Sequence, residues 1–132
     1  MSDTPPSTDR PGLATAHLAL AYAMPVLVLV QAALAGQHLF EGSSISVHGV
    51  LGEVTFALTV VGVVLAVVRR CDGLVFGVAV ALTALAFAQV GLGFVGRDTA
   101  AAAAWHIPTG VAIFGLTTFQ LALLTKGAPR GR

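Results

Sequence analysis

Two histidines hold equivalent positions in a sequence unit that the chain contains twice. Gln31 precedes His48 by 17 residues, and Gln89 precedes His106 by the same distance (48 − 31 and 106 − 89). A glycine follows each histidine by four residues, so both units fit the pattern Q-x-x-L-x13-H-x3-G-x3-F. Imidazole is a common metal ligand, and helix bundles build metal and cofactor sites from side chains on facing helices. The repeat therefore makes the two histidines a candidate metal or cofactor site.

Membrane-spanning helices are the elements that must position these residues. Of 132 residues, 56% are hydrophobic and 10% charged, and the mean hydropathy is +0.88, which is typical of a chain embedded in lipid. A helix needs about 20 apolar residues to cross a bilayer. Four stretches have this length: 13–35, 47–68, 74–95 and 100–124. We predict an all-α integral membrane four-helix bundle over residues 13–125, with a loop over 36–46, a disordered tail over 1–12 and a second tail over 126–132.

The distribution of charge predicts the orientation of this bundle. Six of the seven basic residues fall on one side if the helices alternate in direction, and Arg97 falls on the other. These six are Arg10, Arg69, Arg70, Lys126, Arg130 and Arg132. The positive-inside rule then places both termini in the cytoplasm and the protein in the inner (plasma) membrane. The net charge of +1 gives no indication of a nucleic-acid partner, and Cys71 stands alone, which argues against a disulfide.

The duplicated unit also predicts the symmetry of the bundle. The second unit follows the first by 58 residues (106 − 48), and each contains one helix that runs out and one that returns. We predict two parallel two-helix repeats related by a pseudo-two-fold axis along the membrane normal. Helical spacing then places one stripe of residues on each of two helices that face each other across the axis. The stripes are His48, Gly52, Phe56 and Thr59, and His106, Gly110, Phe114 and Thr117.

One haem b near the outer face is the cofactor that this arrangement predicts. A b-type haem takes axial ligands on both faces of a flat ring, which His48 and His106 could supply. The glycines one turn away would let a porphyrin approach the helix backbone, and the phenylalanines another turn away could pack against it. The glutamines could orient the ligands by hydrogen bonds. These supporting residues are Gly52, Gly110, Phe56, Phe114, Gln31 and Gln89.

Two further polar residues are candidates with several interpretations each. His38 is also on the outer side and could bind a haem propionate, a metal ion or only water. Glu53 lies five residues beyond His48, where a charged side chain is costly if it is near the bilayer centre. It could handle protons, pack in its protonated form or contact another subunit. His17 is near the cytoplasmic end of the first helix, without a second inner histidine, so one haem is the most that the chain can ligate in this way.

Four short motifs resemble those of a known family. Residues 31–36 read Q-x-x-L-A-G, 48–52 read H-G-x-L-G, 89–93 read Q-x-x-L-G and 105–110 read W-H-x-P-x-G. Together they resemble one half of haem A synthase, and they are similar to small b-type-cytochrome-like four-helix membrane proteins of bacteria. The resemblance implies a four-helix bundle with a histidine on its second and fourth helices, here His48 and His106, and haem as the ligand.

Two departures from the synthase pattern limit what the resemblance implies. The synthase has a glutamate shortly before the histidine of its second helix and an arginine after it, whereas this chain has S-S-I-S over 43–46 and then Gly49. The extracellular cysteine pair of many synthases is also absent. Haem binding is therefore the property that the resemblance implies, and these departures put oxidation of the haem methyl group in doubt.

Three functions follow as hypotheses. The first is a haem b protein that passes single electrons, for example between a quinol or membrane dehydrogenase and an acceptor on the outer face. The second is an accessory or scaffold subunit without a cofactor, and the third is an outer-face metal or small-molecule site built from His38, Glu41, His48 and His106. A haem-modifying enzyme ranks behind these three, because no nucleophile, cysteine pair or matched carboxylate pair is visible, so an electron-transfer or accessory protein is favoured over a stand-alone enzyme. Glycine-rich helix faces suit a homodimer or a larger complex within the lipid bilayer.

Overall fold

The structure, a computed structural model, describes residues 11–126, and these residues fold as four helices. The helices are α1 (Pro11–Glu41), α2 (Ser46–Val68), α3 (Gly73–Val95) and α4 (Ala100–Lys126). All four are long and apolar enough to cross a membrane, so the predicted all-α, four-helix membrane architecture is confirmed at this level. The predicted tails lie outside the described residues, except that Pro11 and Gly12 belong to α1 and Lys126 ends α4.

The first helix is longer than the sequence predicts. Hydropathy marks the part of a helix that crosses hydrocarbon, whereas the backbone stays helical until a residue leaves helical dihedral angles. In α1 this happens at Gly42, which has a φ of 69° and donates from its N–H to the His38 carbonyl at 3.2 Å. Glycine adopts this left-handed conformation without steric cost. Most of the predicted loop over 36–46 is therefore helix, and the α1–α2 connection is residues 42–45.

The α2–α3 connection is a short reversal with its own stop and start signals. Arg70 follows the end of α2 with a φ of 50°, which turns the chain out of the helix. Asp72 then caps α3, because its carboxylate accepts hydrogen bonds from the N–H groups of Leu74 and Val75 at 2.9 and 3.0 Å. These are two of the donors that a helix start leaves without an intrahelical partner.

The four helices form a ring in chain order. Each helix packs against its two neighbours, α4 closes the ring against α1, and no Cα atoms closer than 8 Å join α1 to α3 or α2 to α4. The helices α2 and α4 are therefore diagonal to each other. We call the end with residues 11, 68, 73 and 126 the terminal end, and the end with residues 41, 46, 95 and 100 the far end.

The interior of the bundle is tightly packed and its exterior is apolar. Val78, Leu82 and Ile113 form the buried hydrophobic cluster, and buried alanines such as Ala66 and Ala79 allow the helices to approach closely. Large apolar side chains cover much of the outside, for example Phe87 at 69% exposure. Such a surface would be unfavourable in water and fits a lipid bilayer.

Candidate functional site

The structure brings His48 and His106 together across the diagonal of the bundle. Their ring centroids are 5.9 Å apart and their planes are inclined by 58°. Two imidazoles that bind one metal ion from opposite sides, each with a nitrogen to metal bond of about 2 Å, place their centroids roughly 6 Å apart. The observed separation therefore matches the spacing of a pair of opposed imidazole ligands.

A hydrogen bond from the preceding helix orients the first imidazole. His48 Nδ1 lies 3.0 Å from the backbone carbonyl oxygen of Gln31, so Nδ1 carries the proton and donates it. A neutral imidazole with a protonated Nδ1 has its lone pair on Nε2. Histidines that bind metals are commonly held in this way, by donation from the second nitrogen to a carbonyl. His48 is thus fixed in the tautomer in which Nε2 can act as a ligand.

The second imidazole is held differently. Gln89 donates from Nε2 to the backbone carbonyl of His106 at 3.0 Å. The two residues are 17 positions apart in the chain, which is also the separation of Gln31 and His48. Two buried atoms in this region, His106 Nδ1 and Gln89 Oε1, have no hydrogen-bond partner among residues 11–126. One is a ring nitrogen that can carry a proton and the other is an acceptor. Within residues 11–126 no hydrogen bond to His106 Nδ1 fixes the tautomer of this ring, in contrast to His48.

The two glycines lie against the glutamines. A Cβ atom at Gly52 would be 3.3 Å from Gln31 Oε1, and a Cβ atom at Gly110 would be 3.2 Å from Gln89 Nε2. The glutamine side chains therefore occupy the space that the sequence assigned to a porphyrin edge. The reason is local, since each glutamine amide reaches across to the neighbouring helix for a hydrogen bond.

The phenylalanines of the predicted stripes do not share one environment. Phe56 is half-buried and packs against Phe87 of α3, with ring centroids 5.9 Å apart. Phe114 is also half-buried, and its carbonyl accepts hydrogen bonds from the hydroxyls of Thr117 and Thr118. Phe56 is thus directed toward α3 rather than toward the opposite stripe.

The remaining candidates lie apart from the histidine pair. His38 Nδ1 bonds to the backbone carbonyl of Ser43 and so helps to hold the α1–α2 connection. Glu53 is exposed on α2. Within residues 11–126, no group of three or more His, Cys, Asp or Glu side chains lies close enough to hold a metal ion. The structure therefore does not join His38 and Glu41 to His48 and His106.

Three residues near the pair were not assigned a role from the sequence. Thr55 is buried and accepts a hydrogen bond from Gln31 Nε2 at 3.0 Å. Gly93 lies against the ring of His106, since a Cβ atom there would be 3.2 Å from Cε1. A Cβ atom on Gly49 would be 3.8 Å from Arg97 Nη2. The Arg97 guanidinium lies over the ring of Phe94. Helical spacing was the available signal for two of them, because Thr55 lies seven residues after His48 and Gly93 four after Gln89.

Two imidazoles on diagonal helices are residues of the type that would hold a haem iron, and the space around them fits a macrocycle only after side chains move. The imidazole separation and the tautomer of His48 are those of a ligand pair. The central cavity of about 30 Å³ lies elsewhere, toward the terminal end, and neither His48 nor His106 lines it. A macrocycle between the imidazoles would require the side chains of Gln31 and Gln89 to swing away from the glycines.

Comparison with known proteins adds no relative from which a role could be transferred. No protein-family model, no curated protein and no solved structure matches the chain. The function is therefore argued from the geometry of the chain's own residues.

Proposed function

We propose that the chain binds one haem b between His48 and His106 and passes single electrons within the membrane. The observation that carries this proposal is the 5.9 Å separation of the two imidazoles across the diagonal of the bundle. The motifs that resemble haem A synthase and the recurrence of the same Gln, His and Gly residues 58 positions apart (106 − 48) support it. We further propose that this recurrence reflects two parallel repeats about a pseudo-two-fold axis.

The protein's part in this function is to hold and orient the ligands. A bound haem supplies a reversible one-electron change at its iron. His48 offers Nε2 because its Nδ1–H donates to the Gln31 carbonyl, whereas no hydrogen bond among residues 11–126 fixes the tautomer of His106. Donation by the second nitrogen raises the basicity of an imidazole ligand and fixes its plane.

Arg97 supplies positive charge at this end of the bundle. It is the only Lys or Arg at the far end of the described chain, and its guanidinium lies beside Gly49, the residue after His48. Carboxylates are the groups that a guanidinium binds best. We propose that Arg97 binds a propionate of the haem and that the far end faces outward, with both termini in the cytoplasm of a bacterial inner membrane.

The first test is the visible difference spectrum, reduced minus oxidised, of the full chain purified in detergent after expression with ample haem. Sharp reduced α and β bands of a low-spin haem are the expected result. His48→Ala and His106→Ala should each remove them, because one imidazole cannot supply both axial positions. Retention of a fully low-spin spectrum in both variants would show that other residues bind the iron.

His17→Ala and His38→Ala are the matched controls, because both remove an imidazole that lies away from the pair. His17 bonds to Arg69 near the terminal end, and His38 bonds to the Ser43 carbonyl. Both variants should keep the low-spin spectrum. A wild-type chain that stays without absorption after reconstitution with haem would contradict the proposal.

A second candidate function, an accessory subunit without a cofactor, is favoured by the contacts of the glutamines. In both halves of the chain a glutamine side chain fills the space beside the glycine and bonds to the adjacent helix, Gln31 to Thr55 and Gln89 to the His106 carbonyl. Such contacts hold helices together in a membrane without any ligand. For this candidate, replacing Gly52 or Gly110 by Ala should lower stability, and haem should not raise it.

A further inference from the structure

A second polar group lies inside the bundle, near the terminal end and away from the histidine pair. Its members are His17, Thr59, Thr117 and Gln120, with exposures of 2%, 4%, 1% and 6%. Each of these residues lines the central cavity of about 30 Å³. Helices in a bilayer rarely bury so many polar side chains without a partner for them. The interior of this half of the bundle is therefore polar, although its exterior is apolar.

Gln120 is the member whose hydrogen bonding is incomplete. Its Nε2 donates to the backbone carbonyl of Val75 at 3.3 Å, whereas its Oε1 is buried and has no partner in the described structure. A buried acceptor without a donor is unfavourable, and in proteins such atoms are usually satisfied by an ordered water molecule. Because Gln120 lines the cavity, the missing donor is expected from that side.

The other members can complete the bonding of a water molecule. Arg69 Nη1 lies 2.9 Å from His17 Nδ1, and a guanidinium can only donate. The proton of the neutral His17 ring is therefore on Nε2, which makes it a donor. The hydroxyls of Thr59 and Thr117 donate to carbonyls of their own helices at 2.7 and 2.8 Å, so each keeps lone pairs that can accept.

We propose that this cavity is a water-binding site that links Gln120 to His17. The water donates to Gln120 Oε1 and to a threonine hydroxyl, and it accepts from His17 Nε2–H. A volume of about 30 Å³ is enough for one water and too small for a quinone or a second haem, since one probe-sized water needs roughly 10–15 Å³. Three polar partners are the usual number for a buried water.

Oxidation of Met24 can report whether the cavity holds water. It lines the same cavity and is only 5% exposed. X-ray radiolysis splits a bound water in place, and the hydroxyl radical adds to the nearest reactive sulfur. Dissolved dioxygen then takes a hydrogen atom from this adduct as a hydroperoxyl radical, which converts the methionine to its sulfoxide. In the full chain in lipid nanodiscs, Met24 should therefore be oxidised on irradiation in spite of its burial, and mass spectrometry of the peptide gives the rate.

Two variants remove the water by different means. Gln120→Leu removes the acceptor, and Gly62→Ala adds a methyl group to the wall of the cavity, where its nearest neighbour would be Leu20 Cδ2 at 3.8 Å. Each should slow the oxidation of Met24 several-fold. Gly62→Ala has room for its methyl group, so it provides the test if Gln120→Leu does not fold.

The controls make the same chemical changes away from the cavity. Gln37→Leu removes a glutamine amide from an exposed position of α1, and Gly77→Ala adds a methyl group with nothing within 4 Å. Neither residue lines the cavity, so both variants should keep the wild-type rate. The proposal is overturned if wild-type Met24 is not oxidised above the unirradiated sample, or if Gln120→Leu and Gly62→Ala are oxidised as fast as the wild type.

Discussion

The two ends of the bundle both carry histidine in the interior, and the partners of that histidine differ. At the far end His48 and His106 lie on diagonal helices with their rings 5.9 Å apart. At the terminal end His17 accepts a hydrogen bond from the guanidinium of Arg69. The Arg69 N–H that donates to His17 Nδ1 occupies the free lone pair of that ring, whereas donation by His48 Nδ1 leaves the Nε2 lone pair of His48 for a metal ion. The residue type is the same, and the partner decides whether a ligand site or a structural contact results.

The histidines at the two ends also differ in how deeply they are buried. His17 is 2% exposed and belongs to a polar group that is closed off by all four helices, whereas His48 and His106 are half-buried. An enclosed side chain contributes mainly to packing, because its removal leaves a cavity. A half-buried imidazole close to a second one can accept a ligand with less rearrangement. We therefore expect changes at the terminal end to affect stability and changes at the far end to affect ligand binding.

The largest expected effect concerns which end faces the cytoplasm. Cys71 is at the terminal end, and Ser44→Cys, in a Cys71→Ser background, places a thiol at the far end. A membrane-impermeant maleimide applied to intact spheroplasts should label Ser44→Cys completely and leave Cys71 of the wild-type chain unlabelled, because the positive-inside rule predicts that the terminal end is in the cytoplasm. Labelling is read by mass spectrometry.

Thr125→Cys in the same background controls for the reactivity of Cys71 itself. Thr125 is exposed near the end of α4, at the terminal end. It should be labelled only after permeabilisation, as Cys71 of the wild-type chain should be. If Thr125→Cys reacts in intact spheroplasts and Ser44→Cys does not, the orientation is the reverse of the proposed one.

A smaller effect is expected on the stability of the haem-free protein. His17→Ala should lower the free energy of unfolding by about 2–4 kcal/mol, because it leaves a cavity and removes one hydrogen bond of Arg69. His48→Ala should cost only about 1 kcal/mol, since it loses one hydrogen bond to a carbonyl at a half-buried position. Unfolding in SDS, followed by circular dichroism, gives both values. Equal losses would remove the distinction between a packing histidine and a ligand histidine.

The fold was accessible from the sequence because lipid imposes a simple length and polarity requirement. The starts and ends of α2, α3 and α4 fall within two residues of the predicted spans. The sequence predicted that α1 ends at residue 35, whereas it ends at Glu41. Hydropathy does not detect the six residues over 36–41 that stay helical beyond the apolar stretch. The approach of His48 to His106 followed from the repeat together with the diagonal placement of α2 and α4.

The contacts around each end could not be predicted in the same way, because they depend on side-chain conformations. The Gln31 and Gln89 amides lie against glycines that the sequence alone left open for a porphyrin. His17 and Arg69 are 52 residues apart in the chain, and no period in the sequence relates them. Their contact arises from how α1 packs against the end of α2, which only the three-dimensional structure gives.

The smallest expected effect tests how closely α3 positions the ring of His106. A Cβ atom in Gly93→Ala would be 3.2 Å from His106 Cε1 and 3.6 Å from Nδ1, so the ring must shift by a few tenths of an ångström. Changing a residue that supports a metal ligand typically weakens metal binding by roughly 10- to 100-fold, and we expect the smaller value for this contact. Titration of haem into the haem-free protein, followed by absorption, should therefore show about tenfold weaker binding than the wild type.

Gly91→Ala is the matched control, because its new Cβ would have nothing within 4 Å. It makes the same chemical change on the same helix, two residues away, and should leave haem affinity unchanged. If both variants bind haem as the wild type does, the ring of His106 is not constrained by α3, and its 5.9 Å separation from His48 is then a consequence of packing rather than of a site held ready for a ligand. If only Gly93→Ala is affected, three helices hold the far-end pair, and the contrast with His17 rests on position as well as on the hydrogen-bond partner.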